Sequence, residues 1–309
     1  MSFNSSLNSN VVKTALDAVF FQDSDLNTHP ELATAKTQAV FKQDTADSSA
    51  VIMELFGGSG AWEQTAEEEN LPEGNPRITN TKTFSVVKFA KMVQIPKEFF
   101  DDNKHGSYEG MIRQFAKRAM TTMNKNAFAV YRNAFTTSLT ADGVALISDS
   151  HVTVSGATVD NKLTATLSES SLYDAVKMLG EMKGQDGEID GFMPATLLVP
   201  MALYKTAVEI TESVLRSGTA DNDANIYSSK FGVKVYTSPF LGTAGGGSDT
   251  AWFLLSDEHS VTRWVREPVN TSLVDFKISD NDVYKYKGRY REVVGAMNFE
   301  GIVGSDGSV

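Results

Sequence analysis

The sequence predicts an α+β protein, and three observations support this class. A strand-rich stretch spans residues 61–100, and the 3.6-residue spacing of apolar side chains over 107–137 predicts one long helix. Strand and helix patterns then alternate over residues 139–266, and a β-rich segment follows. A long strand pair with no obvious core of its own, joined directly to a long helix, is typical of a subunit that overlaps its neighbours.

Composition narrows the function classes. The 309 residues are 41% apolar, enough for a core, and 39 acidic against 28 basic residues give a net charge of −11. This balance argues against a dedicated nucleic-acid reader. The absence of cysteine excludes disulfides, thiolate metal sites and a cysteine nucleophile. The polar N-terminus predicts no targeting segment, and no apolar run approaches the roughly 20 residues of a membrane-spanning helix.

Residues 1–60 are expected to form an arm with little core of its own. A short amphipathic helix is predicted from Asn10 to Gln22, and residues 31–41 could form another. The run from Gly57 to Gly60 is interpreted as a hinge into the next segment. A phosphate-binding loop is a weaker interpretation of these glycines, because no Gly-Lys-Ser/Thr follows.

Residues 61–100 are interpreted as a long, acidic β-hairpin. The three consecutive residues Glu67, Glu68 and Glu69 precede a Pro/Gly/Asn-rich turn, and a Thr/Val/Phe-rich strand is predicted from Arg77 to Ile95. Charged residues of this density are not buried without partners. The acidic part therefore needs either solvent or a basic partner.

The long helix is expected to begin at Ser107 as its N-cap and to run to residue 137. Its apolar stripe uses small Ala and flexible Met, which disfavours a coiled coil. Arg113, Lys117 and Arg118 lie on its remaining faces. A helix of this length, about 45 Å, is expected to lie across a sheet as the backbone of a domain.

The segment over residues 139–266 reads as an α/β domain. Ser168 is predicted to cap a second helix, Pro194–Pro200 to form a buried strand, and residues 201–215 to form a third helix. In the β-rich part that follows, the Tyr/Lys/Arg segment over residues 284–291 has two interpretations. It could bind bases or phosphates, but a strand with basic residues on its wet face and tyrosines at its rim is favoured.

No active site is predicted, and the protein is interpreted as a non-enzyme with no catalytic, cofactor-binding or metal-binding residues. Each of the four histidines reads as a surface or capping residue, since none has ligand-pair spacing. The acidic run at 221–225 resembles a calcium loop, but Ile226 stands where that loop needs glycine. No Gly-x-Ser-x-Gly elbow is present.

Several short segments, taken in order, resemble the major capsid protein of tailed phages with the Hong Kong 97-type fold. In detail they resemble the Mu-like major head subunit branch. The segments are Ala61-Trp62-Glu63, Leu71-Pro72-Glu73-Gly74, Pro76 to Phe84, Ile95 to Asn103, Asn133 to Thr137, Asp142 to Ser148, Leu197-Leu198-Val199-Pro200 and Trp264 to Pro268.

The resemblance implies a division of the chain. It comprises an N-arm (1–60), an extended loop or E-loop (61–100), a peripheral domain with a spine helix (101–138), an axial domain (139–266) and a C-terminal return to the peripheral domain (267–309).

The resemblance also implies a function. The subunit would assemble in the host cytoplasm into hexamers and pentamers of an icosahedral virion shell that encloses a double-stranded DNA genome. Partners would be a portal, a separate scaffold and protease, cement proteins, and packaged DNA contacted without sequence specificity. No membrane partner and no cofactor are implied.

Inter-subunit contacts are expected through charged and aromatic residues of the extended loop and helix, with the acidic run of one subunit meeting basic side chains of the next. The candidates are Trp62, Glu67, Glu68, Glu69, Arg77, Lys82, Lys88, Arg113, Lys117 and Arg118.

Two alternatives to a virus shell remain open. One is an encapsulin-like nanocompartment of the same fold, and the other, less favoured, is an α/β hydrolase or sugar-binding protein.

Overall fold

A computed structural model gives the fold of the protein. It describes residues 9–22, 30–58, 60–62, 64–65, 70, 78–96, 98, 105–213, 227–274 and 283–308.

The helices are α1 (Ser9–Gln22), α2 (His105–Ala127), α3 (Ala129–Arg132), α4 (Glu169–Gly180) and α5 (Tyr204–Thr211). The strands of the first half are β1 (Lys42–Thr45), β2 (Ala50–Phe56), β3 (Ile78–Ser85), β4 (Val87–Pro96), β5 (His151–Val152), β6 (Thr158–Val159) and β7 (Lys162–Leu163). Those of the second half are β8 (Pro194–Pro200), β9 (Lys234–Ser238), β10 (Trp252–Ser256), β11 (Val261–Val274), β12 (Val283–Ala296) and β13 (Ile302–Ser305).

The first part of the structure is a four-stranded sheet with α1 and α2 packed on one of its faces. Its strand order is β1-β11-β12-β4, with β1 parallel to β11 and the other pairs antiparallel. The core between sheet and helices is rich in aromatic side chains, because alternate residues of β12 and the apolar stripes of both helices face each other. This core contains Leu16, Phe20, Ile95, Ile112, Phe115, Ala116, Tyr284 and Tyr286.

A five-stranded sheet in the order β7-β13-β10-β8-β9 forms the second body. The predicted buried strand between the two prolines is confirmed as β8, with six of its seven residues buried. Ser168 caps α4 as predicted, since its hydroxyl accepts from the Ser171 amide at 3.2 Å. The predicted third helix is shorter than expected: a 3₁₀ turn, Met201–Leu203, precedes α5.

A shared core joins the two bodies. Phe128 and Tyr131, at the end of the long helix, contact Phe41 at ring-centroid distances of 5.1 and 5.6 Å. Tyr131 also packs against Phe253 of the five-stranded sheet, and its hydroxyl donates to the Val40 carbonyl at 2.7 Å. The helix therefore holds both sheets through one aromatic cluster.

The predicted hairpin differs from the observed strand pairing. β3 pairs with β2, whereas β4 pairs with β12 in the four-stranded sheet. The strand predicted from 77 to 95 is thus divided at Val86, whose amide donates to the Ser49 carbonyl at 2.9 Å. Alternating apolar residues predict a strand but not its partner, and β4 joins the larger sheet because Phe89, Val93 and Ile95 face the helices.

The long helix also has different bounds. It begins at His105, so Ser107 lies inside it and is not the N-cap. The regular helix ends at Ala127, but the Arg132 amide still donates to the Phe128 carbonyl at 3.0 Å, so helical bonding continues into α3. The Asn133 carbonyl then accepts the amides of residues 136–138 and ends the helix.

The N-terminal part contributes more to the core than predicted. Leu16, Phe20, Val40 and Phe41 are fully buried or nearly so. Asp17 accepts hydrogen bonds from the Thr271 and Tyr286 hydroxyls, both at 2.6 Å, which ties α1 to the four-stranded sheet. Residues 31–41 form turns rather than a helix. An amphipathic pattern predicts a buried face but does not name the surface that covers it.

The C-terminal part serves both sheets. The boundary predicted at residue 266 falls inside β11. β13, which follows β12 in the chain, pairs with β10 and β7 in the five-stranded sheet. The β12–β13 connection includes Phe299, which is buried in the core of the five-stranded sheet.

Candidate functional site

The pair β2–β3 forms a two-stranded ribbon with two different faces. Alternation along β2 turns Val51, Met53 and Leu55 towards the body of the subunit. Ile52 and Phe56 point the other way and are 64% and 59% exposed. Large apolar side chains at this exposure form the outer face of the ribbon, which is a candidate contact surface.

The inner face is anchored on the four-stranded sheet. The Phe84 ring lies 4.7 Å from the Trp264 ring, in a small cluster with Ala46. This contact requires glycine at position 295, because a Cβ there would overlap the Phe84 ring.

Lys82 fastens the same face to its own subunit. Its ammonium donates to the Leu139 carbonyl and, at 2.8 Å, to the Ala296 carbonyl, and it lies 4.7 Å from the centre of the Phe84 ring. Burial lowers the pKa of Lys82 to about 8, although the nearby Asp142 carboxylate opposes the shift. The role of Lys82 within the subunit is to position the ribbon.

The other predicted contact residues lie in different places. Trp62 is 98% exposed, and Lys88 is exposed on β4. Arg113, Lys117 and Arg118 are exposed on α2. The predicted contacts Glu67, Glu68, Glu69 and Arg77 lie outside the described residues.

The Tyr/Lys/Arg segment of β12 is a strand with a basic wet face, as favoured from the sequence. Its tyrosines are buried rather than placed at a rim: Tyr286 is fully buried against α1 and α2, and Tyr290 stacks on Phe89 at 5.0 Å. The alternate residues, including Lys287, face away from the helices. The alternation of tyrosines with basic residues along the sequence is the signal that places the tyrosines on one face of the strand and the basic residues on the other.

A buried Asp–His pair offers no catalytic geometry. The Asp142 carboxylate lies 2.7 Å from Nδ1 of His151, but Nε2 faces the Leu146 carbonyl at 3.3 Å instead of a nucleophile. His151 and His259 are both buried, contrary to the surface position predicted for them. Burial acts to raise the pKa of Asp142, but hydrogen bonds from His151, Thr140 and the Val144 amide outweigh it and hold the pKa below its usual value. The Asp142–His151 pair therefore stabilises the local fold.

Two further features bear on function. Within the described ranges, no group of three or more possible ligand residues is placed to hold a metal ion. No helix in the same ranges combines the length and apolar character needed to cross a bilayer.

The fold and the ribbon can be compared with known proteins. A family model described as phage capsid protein matches residues 79–305, nearly three quarters of the chain. The chain belongs to the phage capsid protein family. The match covers the long helix, the five-stranded sheet, three strands of the four-stranded sheet and β3 of the ribbon from residue 79 onwards, whereas β1 and β2 precede it.

Solved structures share the fold of this capsid protein at low sequence identity. A virus-like particle protein from Pyrococcus furiosus matches with a TM-score of 0.56 and 10% identity, over 95% of this chain and 98% of that one. A chain of Microbacterium phage Oxtober96 matches with a TM-score of 0.55 and 14% identity, over 91% of this chain and 93% of that one. A chain of the capsid of Myoviridae phage XM1 matches with a TM-score of 0.54 and 12% identity, over 91% of this chain and 94% of that one.

The fold is therefore Hong Kong 97-like, as the sequence predicted. No curated protein matches the chain. Membership in the Mu-like branch stays a prediction.

Proposed function

We propose that this capsid protein is the major head subunit of a tailed double-stranded DNA phage and that its hexamers and pentamers form the icosahedral shell of the virion. The observation that carries the proposal is the ribbon. One face is fixed to its own subunit by Phe84 and Lys82, and the other presents Ile52 and Phe56 to solvent. A second copy of the chain is the natural cover for this outer face.

Because the ribbon contact recurs in every subunit, weak contacts are sufficient to hold a shell together. Burying two apolar side chains of this size contributes only a few kcal/mol per subunit, at about 25 cal/mol per Å². In a closed shell every subunit makes the contact, and the contacts act together. A ribbon that lies on the next subunit therefore supports assembly without a large rigid interface.

The parts of the subunit follow from this proposal. The ribbon and the residues between its strands would be the extended loop, α2 with the four-stranded sheet the peripheral domain, and the five-stranded sheet the axial domain. A portal, a separate scaffold and protease, cement proteins and packaged DNA remain proposed partners. We also propose that the subunit has no enzymatic role.

An encapsulin-like nanocompartment is the second candidate, favoured by the likeness to the virus-like particle protein. Its particles would hold a protein cargo rather than a genome. Electron microscopy and nucleic-acid content of particles from cells that express the neighbouring genes separate the two candidates.

The decisive variant removes the loop between the paired ends of the ribbon. Phe56 and Ile78 are cross-strand partners, so an Asn-Gly turn can replace residues 57–77 and keep both strands. A deletion of residues 63–94 is unsuitable, because it would remove most of β4 from the four-stranded sheet.

The loop replacement should leave a folded subunit that forms no closed shells, as seen by circular dichroism and electron microscopy. A matched variant, Ile52→Thr with Phe56→Thr, should also fold and lose shells, because it removes only the outer apolar face. Normal shells from both variants would contradict the role of the ribbon in assembly.

A further inference from the structure

The outward face of the four-stranded sheet carries a dense set of cations. Tyr286 and Tyr290 of β12 face the helices, so the residues that alternate with them along the strand point to the opposite side. We name this side the basic sheet face. It comprises Lys88, Lys285, Lys287, Arg289 and Arg291.

These cations are unusually poor in partners. Glu267 pairs with Arg289 at 2.7 Å. Within the part of the chain that the structure describes, Lys88, Lys285 and Lys287 form no ion pair, and Nε of Arg291, which lies opposite Glu267 in the strand register, is buried without a hydrogen bond.

The strand register places a like charge on one side of Arg291 and an opposite charge on the other. Lys88 of β4 lies directly opposite it, where like charges are destabilising, and Glu267 of β11 lies opposite it on the other side. Such clustering is unexpected in a chain of net charge −11 unless an anionic partner neutralises it.

The same sequence contains the complementary element. Glu67, Glu68 and Glu69 form its longest unbroken run of acidic residues, and they lie between the two strands of the ribbon. The ribbon is the part proposed above to reach a second copy. Charge complementarity thus connects two segments of one chain that a shell can bring together.

We propose that the basic sheet face of one subunit binds the Glu67–Glu69 run of a neighbouring copy. This inference rests on the proposed shell function and assigns the run an acceptor other than α2. Side chains on one face of a strand repeat about every 7 Å, so Lys285, Lys287 and Arg289 form a regular row of positive charge along β12.

Helix α2 offers a poorer acceptor. Lys117 and Arg118 are adjacent in sequence and therefore point in directions about 100° apart on the helix. Arg113 already has an interaction within its own chain. On β12 four cations alternate along one face, whereas on α2 only Arg113 and Lys117 lie one helical turn apart on the same face.

Charge exchange tests the assignment. The sheet variant is Lys285→Glu with Lys287→Glu, the acidic-run variant is Glu67→Lys with Glu68→Lys, and the matched helix control is Lys117→Glu with Arg118→Glu. Each is expressed as full-length protein, its folding is checked by thermal melting, and the shell fraction is measured by sedimentation and electron microscopy.

We expect the sheet variant and the acidic-run variant each to lower the shell fraction about tenfold or more, because the lost contact recurs in every subunit. Their combination should restore shells to within about twofold of the wild type, since the charges again complement each other. The acidic-run variant should not rescue any defect of the helix control. If the sheet variant fails to fold, Lys285→Gln with Lys287→Gln replaces it, with a smaller expected loss.

Three results would overturn the inference. They are normal shells from the acidic-run variant, rescue of the helix control instead of the sheet variant, and sheet-variant shells that are complete but fail to retain DNA. The last result would assign the face to nucleic acid. The loop replacement tests the ribbon separately. If that variant forms no shells and one of these three results is also found, the inference is wrong and the proposed function is retained.

Discussion

At the scale of single residues, His259 shows how burial controls ionisation. Its ring is 1% exposed, and Nδ1 has no hydrogen-bond partner among the described residues. Burial, assisted by the positive charge of Lys42, lowers the pKa of His259 to about 4, although the Ala39 carbonyl and Asp257 oppose the shift. The folded subunit therefore keeps this imidazole neutral at mildly acidic pH.

This shift predicts a pH dependence of stability. In the unfolded chain His259 takes up a proton near pH 6.5, whereas in the folded state it does so near pH 4. The unfolded state thus binds more protons in this window, and the free energy of unfolding falls as the pH drops from about 6.5 to 4. The loss from this group is on the order of 3 kcal/mol at the acidic end.

Urea unfolding of the subunit at several pH values, compared with His259→Gln, measures the effect. Asp17 and Asp142, whose pKa values are lowered, and Glu292 and Glu300, whose pKa values are raised, titrate in both proteins and cancel in the difference. Parallel stability curves for the two proteins between pH 6.5 and 4 would contradict the prediction.

At the scale of elements, the ribbon depends on a close approach between two strands. The Phe84 side chain of β3 fits over Gly295 of β12, where any side chain would collide with its ring. Gly295 has ordinary backbone angles, so a substitution there acts through sterics alone. The attachment of the ribbon is therefore sensitive to one methyl group.

Gly295→Ala should destabilise the subunit by about 1–3 kcal/mol, the usual cost of overpacking, and lower its melting temperature. In a Phe84→Ala background the same substitution should cost much less, because the colliding ring is gone. Gly110→Ala, at an exposed helix position with open space around it, is the matched control and should be neutral or slightly stabilising. Equal costs in both backgrounds would exclude the proposed collision.

At the scale of the whole molecule, the two ends of the chain close different parts of the structure. Helix α1 covers the four-stranded sheet, and β13 lies inside the five-stranded sheet between β7 and β10. Ile302 and Val303 are fully buried there, and Asn161 donates to the Ile302 carbonyl at 3.1 Å. The five-stranded sheet is therefore incomplete until β13 is in place, and the four-stranded sheet needs α1 to cover its core.

A truncation after Glu300 should consequently give an insoluble or partly folded chain, because it removes an interior strand and exposes the edges of β7 and β10. A chain that ends at Gly307 keeps β13 and should fold normally. Soluble expression and cooperative thermal unfolding are the measurements. A cooperative unfolding transition in the shorter chain would show that β13 is dispensable.

The sequence by itself determined those features that local patterns encode. The cap at Ser168, the buried strand β8 and the apolar stripe of the long helix follow from spacing and residue type, and the order of short segments pointed to the family.

Only the tertiary structure decided which elements meet. β3 and β4 are nearly continuous in sequence, yet one pairs with β2 and the other with β12. The N-terminal helix looked like part of a free arm until its partners in the four-stranded sheet were known. The basic sheet face likewise required the register that sets Lys88 beside Arg291. The physical reason is that a local pattern specifies which face of an element is apolar, whereas its partner is chosen by contacts far apart along the chain.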